Sequence, residues 1–155
     1  QVLPQLRPAA FKDRKPVFDL HNRPELLKFG TIKSVPWPDH MKWFDEALSG
    51  NPLLFIVELE DKMVGVVCLT RRALLCAEAT GYLDPEFQGK GYGTHAIEQG
   101  VILAHHRWTG VREVFARILP TNEPSLKAFR KAKFFEFPHD LGLGLSGLKV
   151  LSRLL

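Results

Sequence analysis

Apolar residues in this chain fall into short runs with two kinds of spacing, and the clearest are three strand-like runs near the middle. Residues 53–59 and 63–69 are rich in β-branched and aromatic side chains and are joined by the polar turn 60–62, which predicts a hairpin. A third run, 77–83, ends at Asp84 and Pro85, a pair that stops a strand. The middle of the chain therefore predicts three consecutive strands of the antiparallel type.

Helical spacing of apolar residues marks the segments before these strands. A helix is expected from about Lys15 to Phe29, broken or bent near Pro24, because proline removes a helical hydrogen bond. A second helix is expected with Asp39 as its N-cap and Gly50 at its end. Its apolar positions are Met41, Phe44 and Leu48.

The second half of the chain predicts two further helices around a strand. A long helix is expected after residue 93, with Gly110 as its C-cap. Residues 111–118 predict a strand, and Glu123 to Lys131 predict a short helix with Pro124 in its first turn. The apolar face of the long helix consists of Ala96, Ile97, Val101, Ala104 and Trp108.

Short strands at both ends complete the predicted sheet. Residues 5–7 predict a first strand, and residues 134–137 and 148–155 predict two last strands around a glycine-rich loop. The order of elements predicts a mixed α/β sheet of six or seven strands. A length of 155 residues suits a single domain that covers residues 1–155.

Composition and charge exclude several classes of function. Apolar residues make up 45% and charged residues 25%, as in soluble globular proteins. The formal charge of +4, with no run of five like charges, favours anionic ligands but predicts no nucleic-acid surface. No apolar stretch approaches the roughly 20 residues needed to span a bilayer, and no secretory leader is expected. Cys68 and Cys76 match no metal or redox spacing, so reduced thiols and a cytoplasmic location are expected.

Three glycines at alternate positions, Gly89, Gly91 and Gly93, stand between the third strand and the long helix. A strand, a glycine-rich turn and a helix N-terminus direct several N–H groups at one point, which forms an anion site. The alternative is a tight turn without a ligand. A P-loop is excluded because Lys90 is followed by glycine rather than serine or threonine. A dinucleotide fingerprint is excluded because the turn does not follow the first strand.

The loop resembles a known motif, and further motifs accompany it in the expected order. Residues 88–93, Gln-Gly-Lys-Gly-Tyr-Gly, resemble the coenzyme-A pyrophosphate loop of the GNAT superfamily of N-acetyltransferases. Residues 122–125 and 131–134 resemble the Asn-x-x-Ser and Lys-x-Gly-Phe parts of that superfamily's next segment. Residues 20–25 and 40–44 resemble its Asn-x-Pro-Glu and His-x-x-Trp-Phe signatures. The resemblance is strongest to the branch of ribosomal-protein N-terminal and amino-sugar acetyltransferases.

The resemblance implies a fold, a reaction and a coenzyme site. The implied sheet is mostly antiparallel, has a splayed central parallel pair and is flanked by about four helices. The implied reaction moves an acetyl group from acetyl-CoA to a primary amine by direct attack, without a metal. The pantetheine arm would lie along the free edge of strand 77–83. The implied coenzyme-binding residues are Tyr82, Leu83, Gln88, Gly89, Lys90, Gly91, Tyr92, Gly93, Thr94, Asn122, Ser125 and Lys131.

The resemblance also suggests catalytic residues. An alkyl amine is almost wholly protonated at neutral pH and must lose a proton before it attacks. Glu78 is the first candidate for the base, although a bulge is possible because two residues separate it from Gly81, while His40 and His21 are weaker candidates. Ser125 is the hydroxyl expected near the leaving sulfur, because the family's tyrosine acid is replaced by phenylalanine.

That phenylalanine is Phe129, and it is a departure from the family pattern. Another is Lys133, which stands where a glycine is usual at a helix C-terminus. Because the tyrosine is missing and Glu78 is displaced from the usual Glu-x-Gly spacing, the alternative function is an acyl-CoA-binding module for sensing or interaction, without turnover. The expected partner is a small-molecule or peptide amine, with no nucleic acid and no membrane, and the protein is expected to be a monomer or homodimer.

Overall fold

The computed structural model describes residues 2–28, 33–136 and 147–155. Seven strands form one sheet in the order β1-β2-β3-β4-β5-β7-β6. Every neighbouring pair is antiparallel except β4 and β5, which are parallel. The strands are β1 (Gln5–Pro8), β2 (Leu53–Leu59), β3 (Lys62–Ala73), β4 (Cys76–Leu83), β5 (Glu113–Ile118), β6 (Phe135–Glu136) and β7 (Lys149–Leu154).

Five α-helices accompany the sheet in the described part of the chain, and short 3-10 turns occupy Phe11–Asp13 and Pro85–Phe87. The mixed α/β fold with a mostly antiparallel sheet is therefore confirmed. None of the helices described is long and apolar enough to cross a membrane. The helices are α1 (Arg14–His21), α2 (Pro24–Leu27), α3 (Trp37–Leu48), α4 (Tyr92–Arg107) and α5 (Glu123–Lys131).

The sheet separates two apolar clusters. On the side that we call the α4 face, buried residues of β3, β4 and β5 pack against α4 and α5. On the other side, the α3 face, Ile56, Val66 and Cys68 pack against Val17 of α1 and Phe44 of α3. Side chains alternate between faces along each strand, so Ala77 and Ala79 lie on the α4 face while Glu78 lies on the α3 face.

The parallel strands β4 and β5 diverge part-way along their length. They pair only at Cys76–Glu113, Ala77–Val114 and Glu78–Phe115. Beyond Glu78, β4 keeps its pairing with β3 as far as Leu83, whereas β5 continues beside β7. No described strand pairs with the second edge of β4 over residues 79–83, so a V-shaped opening lies between β4 and β5. The predicted splay is confirmed.

The break predicted near Pro24 is confirmed, whereas the N-cap predicted for the next helix is wrong. The helix expected from about Lys15 to Phe29 is divided into α1 and α2 at the turn before Pro24, and Phe29 lies outside the described residues. Asp39 is not the N-cap of α3: the helix begins at Trp37, after Pro36 in an extended conformation. Asp39 lies instead in the first turn, where its negative charge interacts favourably with the positive end of the helix dipole.

Gly110 is not the C-cap of α4 either. The helix ends at Arg107, and Trp108 leaves the helical conformation with φ −123° and ψ 80°. The indole of Trp108 is buried in the core of the α4 face, and this burial accounts for the earlier end of the helix.

The departure at Lys133 fits the end of α5. Lys133 has φ 71°, the left-handed conformation expected at that position. The Lys133 N–H donates to Arg130 O and the Phe134 N–H donates to Phe129 O, both at 3.0 Å. This pair of bonds is a Schellman motif, and the Phe129 and Phe134 rings make its usual apolar contact with centroids 5.0 Å apart.

Candidate functional site

The glycine loop connects β4 to α4 at the open end of the V. The Gln88 side chain donates to Leu83 O at 3.1 Å and closes the loop against the strand. Gly89 and Gly91 have φ +77° and +83°, a region that other residues rarely adopt. A Cβ at either position would meet no atom within 4 Å. The two glycines therefore face open space, where a ligand can approach the main chain closely.

The first turn of α4 adds unpaired amides to this loop. Gly91 is the N-cap and has no side-chain cap, and the N–H of His95 bonds back to Gly91 O. The N–H groups of residues 92–94 precede that bond and therefore have no partner within the helix. Together with the positive end of the helix dipole, these N–H groups create a local environment that favours an anion.

The remaining loop residues anchor it rather than face solvent, with one exception. Tyr92 is buried, and the Thr94 hydroxyl donates to Ala128 O at 3.4 Å. Gly93 packs next to β4 and α5, where a Cβ would make ordinary van der Waals contacts, 3.6 Å from Leu83 and 3.7 Å from Ala128. Lys90 is the exposed residue, and its Nζ lies 5.7 Å from the Phe87 ring centroid.

Main-chain groups along the open edge of β4 come from alternate residues. The Asp84 N–H donates to Val64 O at 2.8 Å, so Asp84 and, two residues earlier, Tyr82 direct their backbone groups towards β3. Gly81 and Leu83 direct theirs towards the V. Sequence reasoning assigned the edge to Tyr82 and Leu83, but strand alternation gives Gly81 in place of Tyr82.

Asn122 and Ser125 lie at the N-terminus of α5. The Asn122 side-chain oxygen accepts from the Ser125 N–H at 3.3 Å, so Asn122 caps the helix and its NH₂ group is left as a donor. Lys131 is exposed in the last turn. Phe129 is buried in the core of the α4 face, which explains how a phenylalanine is accommodated at this position.

Glu78 lies at the last paired row before β4 and β5 diverge, and two arginines surround its carboxylate. Arg72 donates to Oε1 through Nε at 3.0 Å and a terminal nitrogen at 2.8 Å. Arg117 donates to Oε2 through Nε at 2.6 Å and to Oε1 at 2.9 Å. The pairing of β4 with β3 is continuous from Ala77 to Leu83, so the bulge considered for this part of the strand is not present.

Aromatic residues of α1 and α3 form a wall on the same face. The Tyr82 hydroxyl lies 3.3 Å from His21 Nδ1, and burial raises the pKa of Tyr82. Trp37 packs against Phe18 and His40. His40 donates from Nε2 to Arg14 O at 2.9 Å, since a carbonyl only accepts, and burial lowers the pKa of its imidazole.

Sequence reasoning missed Arg72 and Arg117, although the chain contains a signal for one of them. In β5 the buried residues Val114, Ala116 and Ile118 alternate with Phe115 and Arg117. An arginine inside a strand of this kind lies on the face opposite the α4 core, which is the face that carries Glu78. Arg72 has no comparable signal, because it lies at an irregularity of the β3–β4 pairing between Arg71 and Ala73.

The glycine loop beside an open strand edge agrees with the family indicated by the motifs. A family model described as "Acetyltransferase (GNAT) domain" matches residues 5–134. The chain belongs to this family. It is a GNAT acetyltransferase, and the prediction of acetyl-CoA, the donor that this family uses, is confirmed. Among the described residues, no group of three or more His, Cys, Asp or Glu side chains is arranged to hold a metal ion.

Relatives of this GNAT protein include curated and solved examples. It is 29% identical over 140 residues to "Putative phosphinothricin acetyltransferase YwnH" of Bacillus subtilis (strain 168), which covers 85% of this chain and 84% of that protein. The crystal structure of "a putative phosphinothricin N-acetyltransferase" has a TM-score of 0.74 and 27% identity and covers 98% of both chains. The fold is also shared with spermidine N-acetyltransferase from Vibrio cholerae in complex with CoA and spermine, with a TM-score of 0.81, 17% identity and coverage of 97% and 95%.

These relatives correct the finer placement suggested by the motifs. The resemblance favoured the branch of ribosomal-protein N-terminal and amino-sugar acetyltransferases. The curated relative and one of the similar structures are instead named as phosphinothricin acetyltransferases. The GNAT superfamily is confirmed, while the expected branch is not supported.

Proposed function

We propose that this GNAT acetyltransferase moves the acetyl group of acetyl-CoA to the primary amine of a small molecule, by direct attack in a ternary complex. The observation that carries the proposal is the main-chain cradle. Gly89 and Gly91 hold left-handed conformations with open space before them, directly before the unpaired amides of α4. Such a cradle suits the two negative charges of a pyrophosphate.

The donor side of the site follows from the edge of β4. The pantetheine arm is proposed to run along the V and to pair with Gly81 and Leu83 as an added strand would. One amide of this edge would polarise the thioester carbonyl. The NH₂ group of Asn122 is proposed to donate to the arm, and Lys90 and Lys131 to attract the phosphates.

The acceptor amine has to lose a proton, and Glu78 is the proposed base. Four N–H donors already occupy its carboxylate, so it accepts a proton only when one arginine contact opens. Arg72 is the more exposed of the two partners, so its contact is proposed to open first. His21 and a water chain are the other routes by which the proton can leave.

The departing thiolate needs less assistance, because a thiol with a pKa near 8.5 is a good leaving group. Ser125 is proposed to hydrogen-bond the sulfur from the first turn of α5. Its backbone N–H is held by Asn122, which fixes the position of the residue. No tyrosine acid is required for this step.

The second candidate is a module that binds acyl-CoA without turnover. The observation in its favour is that the proposed base is fully engaged by Arg72 and Arg117. Such a module would use the same cradle and would hold Glu78 as a structural ion pair.

Thiol release from acetyl-CoA, measured with and without amines, separates the two candidates. The acceptor panel contains phosphinothricin, spermine and kanamycin, which occur in the names of similar proteins, together with an amino sugar and a peptide with a free N-terminus. We expect saturable, amine-dependent thiol release with at least one acceptor. Saturable binding of acetyl-CoA with no release for any amine would favour the binding module.

A further inference from the structure

The Arg72–Glu78–Arg117 cluster contains more positive charge than Glu78 can neutralise. Two guanidinium groups share one carboxylate, so the three side chains together carry one net positive charge. In the ranges 2–28, 33–136 and 147–155, neither arginine has a second carboxylate partner within salt-bridge distance. The two arginines therefore neutralise Glu78 and leave one positive charge that a second anion can bind.

The unused donors of the cluster are accessible. The Glu78 side chain is only 4% exposed, whereas those of Arg72 and Arg117 are 50% and 36% exposed. A guanidinium has five N–H donors, and each arginine directs two of them at Glu78. The other donors remain for a partner, and the shared Oε1 atom holds the two groups side by side.

The position of the cluster relates it to the acceptor rather than to the coenzyme phosphates. Glu78 is at the closed end of the V, about 17 Å of extended strand from Leu83, where the glycine loop begins. A coenzyme anchored at that loop, with its pantetheine arm along the V as proposed above, would extend its thioester towards Glu78. The cluster lies on the α3 face, the face of the sheet on which α1 and α3 pack.

We propose that Arg72 and Arg117 bind an anionic group of the acceptor, so that the substrate is an amine that also carries a carboxylate or a phosphate-type group. This inference rests on the proposed acetyl transfer and adds the class of acceptor to it. Buried Glu78 holds the two guanidinium groups in place, and their outward N–H donors receive the anion. Bidentate contacts of this kind give both geometry and selectivity. A polycation such as spermine meets an unfavourable charge at the same point.

Matched acceptors test the charge requirement directly. An α-amino acid, the amino alcohol that carries CH₂OH in place of its carboxylate, and the corresponding aminoalkyl phosphonate differ mainly in the anionic group. Charge-assisted hydrogen bonds contribute enough for about 10- to 100-fold selectivity. We expect kcat/KM to be higher by that factor for the anionic members, and comparison of the carboxylate with the phosphonate identifies which anion is preferred.

Arginine variants then assign the selectivity to this cluster. Arg72→Gln and Arg117→Gln are expected to reduce the ratio of kcat/KM for anionic and neutral acceptors about tenfold or more, with KM for acetyl-CoA unchanged. Arg71→Gln is the matched control, because Arg71 neighbours Arg72 in sequence and donates to Leu74 O instead. Arg117→Lys, which keeps the charge, is expected to retain part of the selectivity. Circular dichroism establishes that each variant is folded.

The outcomes separate this inference from the proposed function. Acetylation of neutral amines as fast as their anionic counterparts would overturn the inference while leaving the acetyl transfer intact. An equal loss for both classes in the arginine variants would also overturn it, since a purely structural role for the ion pairs predicts that result. Absence of amine-dependent thiol release for the whole panel would instead contradict the proposed function.

Discussion

The glycine loop and the Arg72–Glu78–Arg117 cluster lie near opposite ends of β4, and they are built from different parts of the chain. The loop consists of consecutive residues, 88–93, and offers main-chain amides. The cluster joins side chains from β3, β4 and β5 that are up to 45 positions apart in sequence. A main-chain site of this kind depends on backbone conformation, whereas the cluster depends on strand register and on the point where β4 and β5 diverge.

This difference predicts that the two regions can be changed independently. Variants in the loop should alter coenzyme binding and leave the ion pairs intact. Variants in the cluster should alter the use of the acceptor and leave coenzyme affinity intact. His40 and the C-terminal end of α5 provide further tests. His40 belongs to the aromatic wall of α1 and α3, and α5 packs on the opposite face of the sheet.

Glu78→Gln is expected to have the largest effect. Loss of a general base lowers kcat by about 10²- to 10⁴-fold, while the Kd for acetyl-CoA should stay within about threefold of wild type. Stopped-flow or steady-state thiol release across pH provides the measurement. Glu58→Gln is the matched control, since Glu58 is also a strand glutamate paired with an arginine, Arg7, at 3.0 Å. An unchanged pH–rate profile in Glu78→Gln would exclude Glu78 as the base.

Gly91→Val is expected to raise the Kd for CoA about 100-fold, because it strains a left-handed position and places a branched side chain in the open cradle. Isothermal titration calorimetry measures this change. Gly147→Val is the matched control: Gly147 has φ +84° and equally open surroundings but lies outside the loop. Equal loss of affinity in both variants would show that strain, rather than the cradle, is responsible.

Burial of His40 predicts that the stability of the fold depends moderately on pH. Burial lowers the pKa of His40 in the folded chain, so the unfolded chain binds a proton first as pH falls below about 6.5. The free energy of unfolding should therefore decrease between pH 6.5 and 5, by at most about 2 kcal/mol from this group. Urea titrations of wild type and His40→Gln measure the two slopes, and the exposed His106 serves as the control. Identical slopes would contradict the assignment.

Lys133→Gly is expected to have the smallest effect, a gain of about 1 kcal/mol in the free energy of unfolding, because glycine adopts the left-handed conformation without the Cβ penalty. Lys131→Gly, inside the last turn of α5, should instead lose about 1 kcal/mol. Thermal or urea unfolding distinguishes the two signs. A loss of stability in Lys133→Gly would show that the lysine side chain contributes more than the strain costs.

The sequence predicted the loop and the fold more completely than the acceptor side. Alternating glycines before a helix are a local pattern, so the cradle at Gly89 and Gly91 was accessible from the sequence. The divergence of β4 and β5 was also predicted, because the resemblance to the GNAT superfamily implied it. The double arginine contact was not accessible, because it arises where Arg72 and Arg117 meet Glu78 across three strands.

Local propensity also failed at specific helix ends. Asp39 is a favourable N-cap residue, but Pro36 and Pro38 fix an earlier start for α3. Gly110 is a favourable C-cap residue, but burial of Trp108 ends α4 sooner. In both cases a neighbouring residue, through its fixed backbone or its packing, decides the boundary.

The central claim is that main-chain amides of the glycine loop and of the first turn of α4 hold the coenzyme by its pyrophosphate. Calorimetric titration of the folded protein with acetyl-CoA and with S-acetylpantetheine, which lacks the pyrophosphate, tests it most directly. We predict saturable binding of acetyl-CoA and at least about 100-fold weaker binding of S-acetylpantetheine, as expected for the loss of two or more charge-assisted contacts. Equal affinity for the two compounds, or no saturation with acetyl-CoA, would contradict the claim.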